Sequence, residues 1–430
     1  WLDRWMSSGQ RTARPFADVA LMQAAIETYA SEFELERQRF AAAAQRGRPT
    51  VRRQVGRKTE LRHQGHMYPL MVYCLGAGQY RIVSDGASII VDTERLGRFE
   101  HWLTVAGERF HVVSVTQGSS YRIEVNGVAH QVSREDGGVV RAPAPSVVVS
   151  IAVKPGEAVA LGAPLVTLEA MKMETQITAP FAGRIRKMFA IPYAQVDAGA
   201  PLVAIEPADV EEVAVSAEKV VLGGSVETRQ ASIALTNPCF QVLGDIRHFM
   251  LGYDIDVGSA ERLVKDWRSE CAPLAGSDGA LKSEDEILNI FADICELFRR
   301  QPVADEHAGG EAPSVESYFF QYLRMVEGRA EGFPEAFRSA LKTALAHYGV
   351  RSLDVTPRLE QSLLWICKAH ERVDQQMVVV TAILERRLEL AETLSRHAGE
   401  SFRRQLGRLI SSTRDRFPAI GDLSRDGERL

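Results

Sequence analysis

Glu169-Ala170-Met171-Lys172-Met173-Glu174-Thr175 is the stretch from which the organisation of this chain is read. Alone, a lysine between two methionines says little, because Met fills gaps in cores and Lys is usually a solvated charge. The sequence on either side gives it weight, because it is built as two matching halves. Ala142-Pro143 recurs as Ala179-Pro180, Pro155 as Pro192, Val159 as Val196 and Glu169 as Glu206. Gly162-Ala163-Pro164-Leu165-Val166 recurs as Gly199-Ala200-Pro201-Leu202-Val203, and every pair shares one offset of 37 positions. A fixed period of this kind marks an internal structural repeat. Apolar residues alternate at strand period within each half: Val147, Val149 and Ile151, then Leu165 and Thr167; in the second half Ile185, then Leu202 and Ala204. Two short β halves, neither able to bury a face alone, do so against each other as a flattened β-sandwich. Lys172 then falls between the last strand of the first half and the first strand of the second, at the tip of a hairpin.

The tetrapeptide Ala170-Met171-Lys172-Met173 resembles the biotin-attachment site of biotin carboxyl carrier domains. The resemblance implies that biotin is amide-linked to Lys172, with Glu169, Ala170, Met171 and Met173 framing it. It also implies a biotin ligase as partner and two active sites that the exposed tip must reach. Ala142-Pro143-Ala144-Pro145, 27 residues before Lys172, and Ala179-Pro180-Phe181-Ala182-Gly183 after it are similar to such domains as well. Ser146 departs from the pattern, which often has Gly there, and the difference bears on a local turn. Lipoyl domains share the two-fold barrel but usually carry Asp-Lys-Ala at the tip, so methionine on both sides favours biotin.

Length and composition set the frame. A chain of 430 residues has room for two to four domains with proper cores. With 45% hydrophobic and 25% charged residues it reads as an ordinary globular protein. Its formal charge of −5 argues against nucleic acid as a partner, and no apolar run approaches the ~18–20 residues of a membrane span. No basic-then-apolar leader is visible, and a cytoplasmic location is expected. The five cysteines (Cys74, Cys239, Cys271, Cys295, Cys367) are scattered without a Cys-x-x-Cys pair, and reduced structural thiols are expected. The ten histidines show no metal-ligand spacing, and His63 and His66 are read as solvated. Neither a metal site nor a catalytic residue is expected in this segment.

In chain order, Trp1-Leu2-Asp3 resembles the Gly-Trp-Leu-Asp that closes biotin carboxylase domains, which suggests a piece of a larger enzyme. Pro15 to about Gln45 is helical, with an apolar face of Phe16, Val19, Leu21, Met22, Ala25, Ile26, Tyr29 and Phe33 that is wide near its start. The basic run Arg52, Arg53, Arg57, Lys58 is read as a solvated linker. Short strands follow from about Met67 to Val140, and Asn126-Gly127 suits a type I′ hairpin turn. Their spacing implies a barrel or sandwich. A helix followed by such a barrel is similar to the domain called BT in multidomain biotin carboxylases. After Pro207 the pattern is helical. Ser283-Glu284-Asp285-Glu286 reads as a capping box, with its acids as helix-start electrostatics. Gln301 to Ser314 reads as a loop. Helices are expected at Val315–Glu327, Pro334–Tyr348, Pro357 to about Arg396 and about Ser401–Thr413, before a polar tail with Arg414, Asp415, Arg416, Arg425, Asp426 and Arg429.

The expected fold class is therefore α+β multidomain. Residues 1–60 are assigned to the tail of a biotin carboxylase and the long BT helix, and 61–140 to the BT β-barrel. Residues 141–207 are assigned to the biotinyl sandwich, and 208–310 and 311–430 to two parts of an all-α helical bundle. More than two hundred helical residues after the carrier resemble the order in single-chain, eukaryotic-type acetyl-CoA carboxylases, where a non-catalytic central region follows. Leu251-Gly252-Tyr253-Asp254 is similar to a Gly-Tyr segment of that region. The resemblance implies a biotin carboxylase and a carboxyltransferase on the same chain, a homodimer, and no turnover by this segment alone. Two other readings are kept open: a carrier segment of a pyruvate or urea carboxylase, and a segment that acts mainly in assembly or regulation.

Overall fold

The computed structural model describes residues 15–51, 54–117, 120–134, 138–170, 173–197, 199–207, 219–222, 237–255, 258, 260–300, 313–325, 332–390, 400–413 and 417–429. Trp1-Leu2-Asp3, Arg52, Arg53, Gly137, residues 301–312 of the expected loop, and Arg414, Asp415 and Arg416 lie outside them. The chain divides into two compact units: Trp1–Glu36, Arg57–Val72 and Gly78–Ala231 in one, and Arg37–Gly56, Tyr73–Ala77 and Ser232–Leu430 in the other.

In the first unit, helix α1 (Ala17–Arg46) begins with residues buried on every face. Its side chains meet several strands: Phe16, just before it, lies edge-on to Phe110, Tyr29 meets Tyr80, and Thr28 Oγ1 lies 2.9 Å from Tyr121 Oη. Eight antiparallel strands close a barrel in sequence order: β1 (Arg57–His63), β2 (His66–Gly76), β3 (Gln79–Ser84), β4 (Ala87–Arg95), β5 (Glu100–Val105), β6 (Glu108–Gln117), β7 (Ser120–Val125) and β8 (Val128–Arg134). Closure comes from β1 pairing with β8, Leu61↔Arg134 and Arg62↔Ser133, which leaves no open edge. Asn126 (φ 47) and Gly127 (φ 85) turn the β7–β8 hairpin, as a type I′ turn requires.

β1 corrects the linker reading of this region. Along it the charged Lys58, Glu60 and Arg62 alternate with Thr59, Leu61 and His63, which face inward. Arg57 donates to Glu32 and Glu36 of α1, so Arg57 and Lys58 of the basic run begin a strand that Arg57 ties to the helix. His63 is 3% exposed and its Nδ1 lies 2.8 Å from Gln131 O, a contact in which the imidazole donates. His66 is half-buried.

In the second unit, the described residues from Pro238 onward form helices: α2 (Pro238–Met250), α3 (Ala260–Glu270), α4 (Asp278–Leu297), α5 (Val315–Arg324), α6 (Glu335–Ala346), α7 (Pro357–Glu371), α8 (Val373–Glu389), α9 (Glu400–Thr413) and α10 (Pro418–Arg429), with a 3-10 turn at Ala272–Leu274. Four readings are corrected here. α4 starts at the cap Ser277, so Ser283 is interior and its hydroxyl donates back to Gly279 O. Glu284 is buried and accepts from Arg387 Nε at 2.6 Å, an inter-helix ion pair and not helix-start electrostatics. The long helix from Pro357 is two helices that break at Arg372, whose Nη1 donates to Tyr253 O at 2.8 Å. Gln376 adds bonds to Phe249 O and Met250 O, so the break supplies partners for the carbonyls at the end of α2. Finally, part of the expected polar tail is helix α10, which buries Ile420 and Ser424.

The thiol reading is also corrected. Cys239 and Cys271 form a disulfide between the start of α2 and the end of α3, while Cys74, Cys295 and Cys367 are free and buried. No spacing motif announces this pair, because helix packing brings the two together across 32 positions. Among the described residues no helix is long and apolar enough to cross a membrane, and no group of three or more His, Cys, Asp or Glu could hold a metal ion.

Candidate functional site: the carrier hairpin

The repeat is realised strand for strand. β9 (Val139–Arg141), β10 (Ser146–Ile151), β11 (Ala158–Val159) and β12 (Pro164–Ala170) make the first half, and β13 (Met173–Thr178), β14 (Gly183–Met188), β15 (Gln195–Val196) and β16 (Pro201–Pro207) the second. The bounds of β10, β11 and β12 reappear 37 positions later as those of β14, β15 and β16. One sheet is ordered β13-β12-β10-β15 and the other β11-β14-β16-β9. Each sheet therefore takes strands from both halves, and neither half can form a sheet like these without the other. Val148, Leu165, Leu168, Ile185, Leu202 and Ile205 meet in the shared core.

The first part of β10 has the reverse phase to that expected, while Ile151 beyond it packs against the core. Ser146 and Val148 face inward on β10, and Val147 is 39% exposed. A register shift between Val148 and Ser150 explains this, since an extra residue in the ladder changes which side chains point in. Ser146, the departure from the carrier pattern, is buried and its hydroxyl donates to Ala144 O at 3.0 Å.

β12 and β13 pair without a break from Val166↔Ile177 to Ala170↔Met173, which leaves two residues for their connection. Those two, Met171 and Lys172, lie outside the described residues. Their neighbours frame an open end: Met173 is 71% exposed, Glu169 and Glu174 are exposed and directly opposed, and Ala170 is half-buried. Like charges facing each other across a strand pair are unfavourable, so stability does not explain the two glutamates. A thioether at an exposed tip is equally unexplained by packing. The described strands thus give the two-residue connection a short, well-paired support. Sequence reading missed the loop 189–194 after β14, where Phe189, Ile191 and Tyr193 are exposed; its only signal is apolar residues where the sister half has Ala152, Lys154 and Gly156.

Residues 138–205 match the family model described as Biotin-requiring enzyme. The human protein named propionyl-CoA carboxylase alpha chain, mitochondrial, is 41% identical over 58 residues, 14% of this chain and 8% of that one. Mouse pyruvate carboxylase, mitochondrial, is 51% identical over 51 residues, 12% of this chain and 4% of that one. The matched stretch is thus less than a tenth of the length of these curated relatives. Residues 138–205 are a domain of the kind found in biotin-requiring enzymes, and these likenesses support covalently bound biotin as its cofactor.

Proposed function

We propose that this chain is the carrier and scaffold segment of a biotin-dependent acyl-CoA carboxylase, with biotin amide-linked to Lys172. The observation that carries the reading is the Met-Lys-Met sequence set at the two-residue connection of β12 and β13, inside a two-fold domain of biotin-enzyme type. Biotin, when bound, supplies a ureido nitrogen that accepts a carboxyl group at an ATP- and bicarbonate-dependent site and gives it up to an acyl-CoA at a carboxyltransferase. The chain's own part is mechanical. The paired strands hold the base of the arm in one geometry, and the exposed tip lets an active site close around it. Tethering replaces free diffusion by a high local concentration at both sites. The closed barrel and the helical unit would hold the catalytic domains in register, and this segment alone would turn nothing over.

The acyl-CoA assignment rests on the helical residues that follow the carrier. A pyruvate carboxylase is the second reading, favoured by the 51% identity to the mouse protein. Lys172→Arg is expected to abolish biotin incorporation, read by streptavidin blot and intact mass, with an unchanged melting curve. Residual biotin on that variant would refute the attachment site. The complete enzyme should then be assayed for carboxylation of acetyl-CoA, propionyl-CoA, pyruvate and urea. Turnover of an acyl-CoA supports the first reading, and turnover of pyruvate alone replaces it with the second.

A further inference from the structure

Two exposed patches of opposite character lie side by side on the carrier domain. The first is the loop from β14 to β15, with Phe189, Ile191 (66% exposed) and Tyr193 (83%). Its counterpart 37 positions earlier buries Val153 in the core as this loop buries Ala190, and the two differ on the outer face. Gly156 takes φ 85 in the sister loop, and Tyr193 takes φ 63 at the matching place. A bulky residue is strained there, and no burial of the ring compensates. Packing within the domain does not explain Tyr193. The loop has a cationic margin: Lys187 Nζ lies 5.0 Å from the Phe189 ring, and Arg184 and Arg186 are exposed on the same strand.

The second patch is the hairpin end. Val147 pairs with Gln195 on one side and with Glu169 on the other, and Glu169 pairs with Glu174. Gln195, Val147, Glu169 and Glu174 therefore form one row across the sheet, and all four are exposed. Met173, 71% exposed, stands at the acidic end of that row, where two carboxylates outnumber the one lysine of Glu169–Thr175. Tyr193 N–H donates to Val148 O at 2.7 Å, which holds the loop to the same sheet. Tyr193 precedes Gln195 by two residues, so it lies about 12 Å from Glu169 by strand spacing.

We propose that this surface binds a second copy of the chain, the cationic loop of each carrier domain meeting the acidic hairpin end of the other. Complementarity selects the occupant. Phe189, Ile191 and Tyr193 beside Lys187 fit an apolar group flanked by carboxylates, and Met173 between Glu169 and Glu174 is such a group. Each copy presents both patches, so one two-fold axis forms the contact twice and closes the pair. The three loop side chains expose roughly 400 Å² by ordinary residue areas, the size of a functional patch. Two such loops, each against a hairpin end, bury on the order of 1,200 Å², the lower edge of specific interfaces. The pairing is accordingly weak and reversible. It stands apart from the biotin reading, because no contact in it uses Lys172.

The test is sedimentation velocity of the whole chain, from micromolar to several hundred micromolar, for wild type, Lys187→Glu, Glu174→Lys and Tyr193→Gly. All three positions are exposed and glycine suits φ 63, so melting stays near wild type. Wild type should show a monomer–dimer equilibrium whose Kd rises about fivefold or more in each variant. In its own dimer Lys187→Glu sets carboxylate against carboxylate, and Glu174→Lys sets ammonium against ammonium. An equimolar mixture of these two brings opposite charges together at both contacts and should restore association. Association through any other surface would leave the three variants at the wild-type Kd. That result overturns the proposal, as does a mixture no tighter than its components or a wild-type chain that is monomeric at every concentration.

Discussion

Gly183 is a position at which the carrier domain has little room, and its replacement by alanine should destabilise that domain selectively. A Cβ there would lie 2.3 Å from Glu206 O and 2.8 Å from Ile205 Cγ2. Ordinary contact needs about 3.4 Å or more, so a backbone must move by roughly 1 Å. It cannot move freely, because Gly183 pairs with Val159 on one side and Pro207 on the other. Overpacking costs about 1–3 kcal/mol, and a clash with main chain belongs at the upper end. At ~0.05–0.15 kcal/mol per residue, a domain of some 70 residues has roughly 3.5–10 kcal/mol in hand. A loss of about 3 kcal/mol lowers its melting temperature by roughly 12–24 °C. The sister position sharpens the test, for Ser146 already holds a side chain, and Ser146→Gly removes one hydrogen bond at a cost of about 1 kcal/mol. Hydrogen exchange by mass spectrometry on the whole chain separates the carrier peptides from the helical unit, and biotin uptake reports the folded fraction. Wild-type protection across residues 138–207 in Gly183→Ala, with unchanged uptake, would refute the packing argument.

Further predictions concern the helical unit. Gly252→Ala should cost about 2–4 kcal/mol, since φ is +77 and the new Cβ would lie 2.5 Å from Ala369 N and 2.7 Å from Trp365 O; a shift below ~0.5 kcal/mol in urea unfolding would contradict it. Burial holds the Glu284 carboxyl above its ordinary value of 4.5, outweighing the lowering by Arg387. The folded state therefore binds that proton more tightly, and the group's contribution is present below pH 4.5 and lost as pH rises through the folded value. Urea midpoints from pH 4.5 to 7 should accordingly fall more steeply in wild type than in Glu284→Gln, and parallel profiles would sink the idea. Of the five cysteines, three should react with a thiol reagent in denaturant without reductant. Cys239→Ser should cost roughly 3–4 kcal/mol for opening a loop of this length, and five reactive thiols would exclude the disulfide.

What the sequence disclosed follows from the range of the interactions involved. The 37-residue period is a property of the chain itself, and it carried through to strand bounds, because two equal halves with equal turn residues fold alike. Asn126-Gly127 could be read for the same reason, its conformation being set by two adjacent residues. The failures are long-range. Arg57 looks like linker until Glu32 and Glu36 are placed beside it. Ser283-Glu284 imitates a cap, and only Arg387, some hundred positions on, shows that Glu284 is buried. The break at Arg372 has no glycine or proline to announce it and depends on Tyr253 O of another helix end. Val147 was misplaced by one bulge, because a single extra residue inverts every facing at period two. At the hairpin the end of pairing at Ala170↔Met173 lies where the repeat put it, whereas the positive φ of Tyr193 had no signal in the sequence.

On the proposal that Lys172 carries biotin, the two-fold repeat also gives a reason why one end of the domain suits that lysine and the other does not. At the hairpin end β12 and β13 are consecutive and joined by two residues. The equivalent strands at the opposite end are β16 and β9, which pair in the same way but are not joined: the chain enters before β9 and leaves at Pro207. Ala170 and Pro207 occupy matching positions, so the symmetry that sets one at the tip sets the other at the far end, beside the tether. On that proposal the seven-residue span of β12 would act as a lever of about 23 Å. The lever lengthens the reach of the arm without lengthening the flexible chain, and so keeps the local concentration that makes a tethered carrier useful.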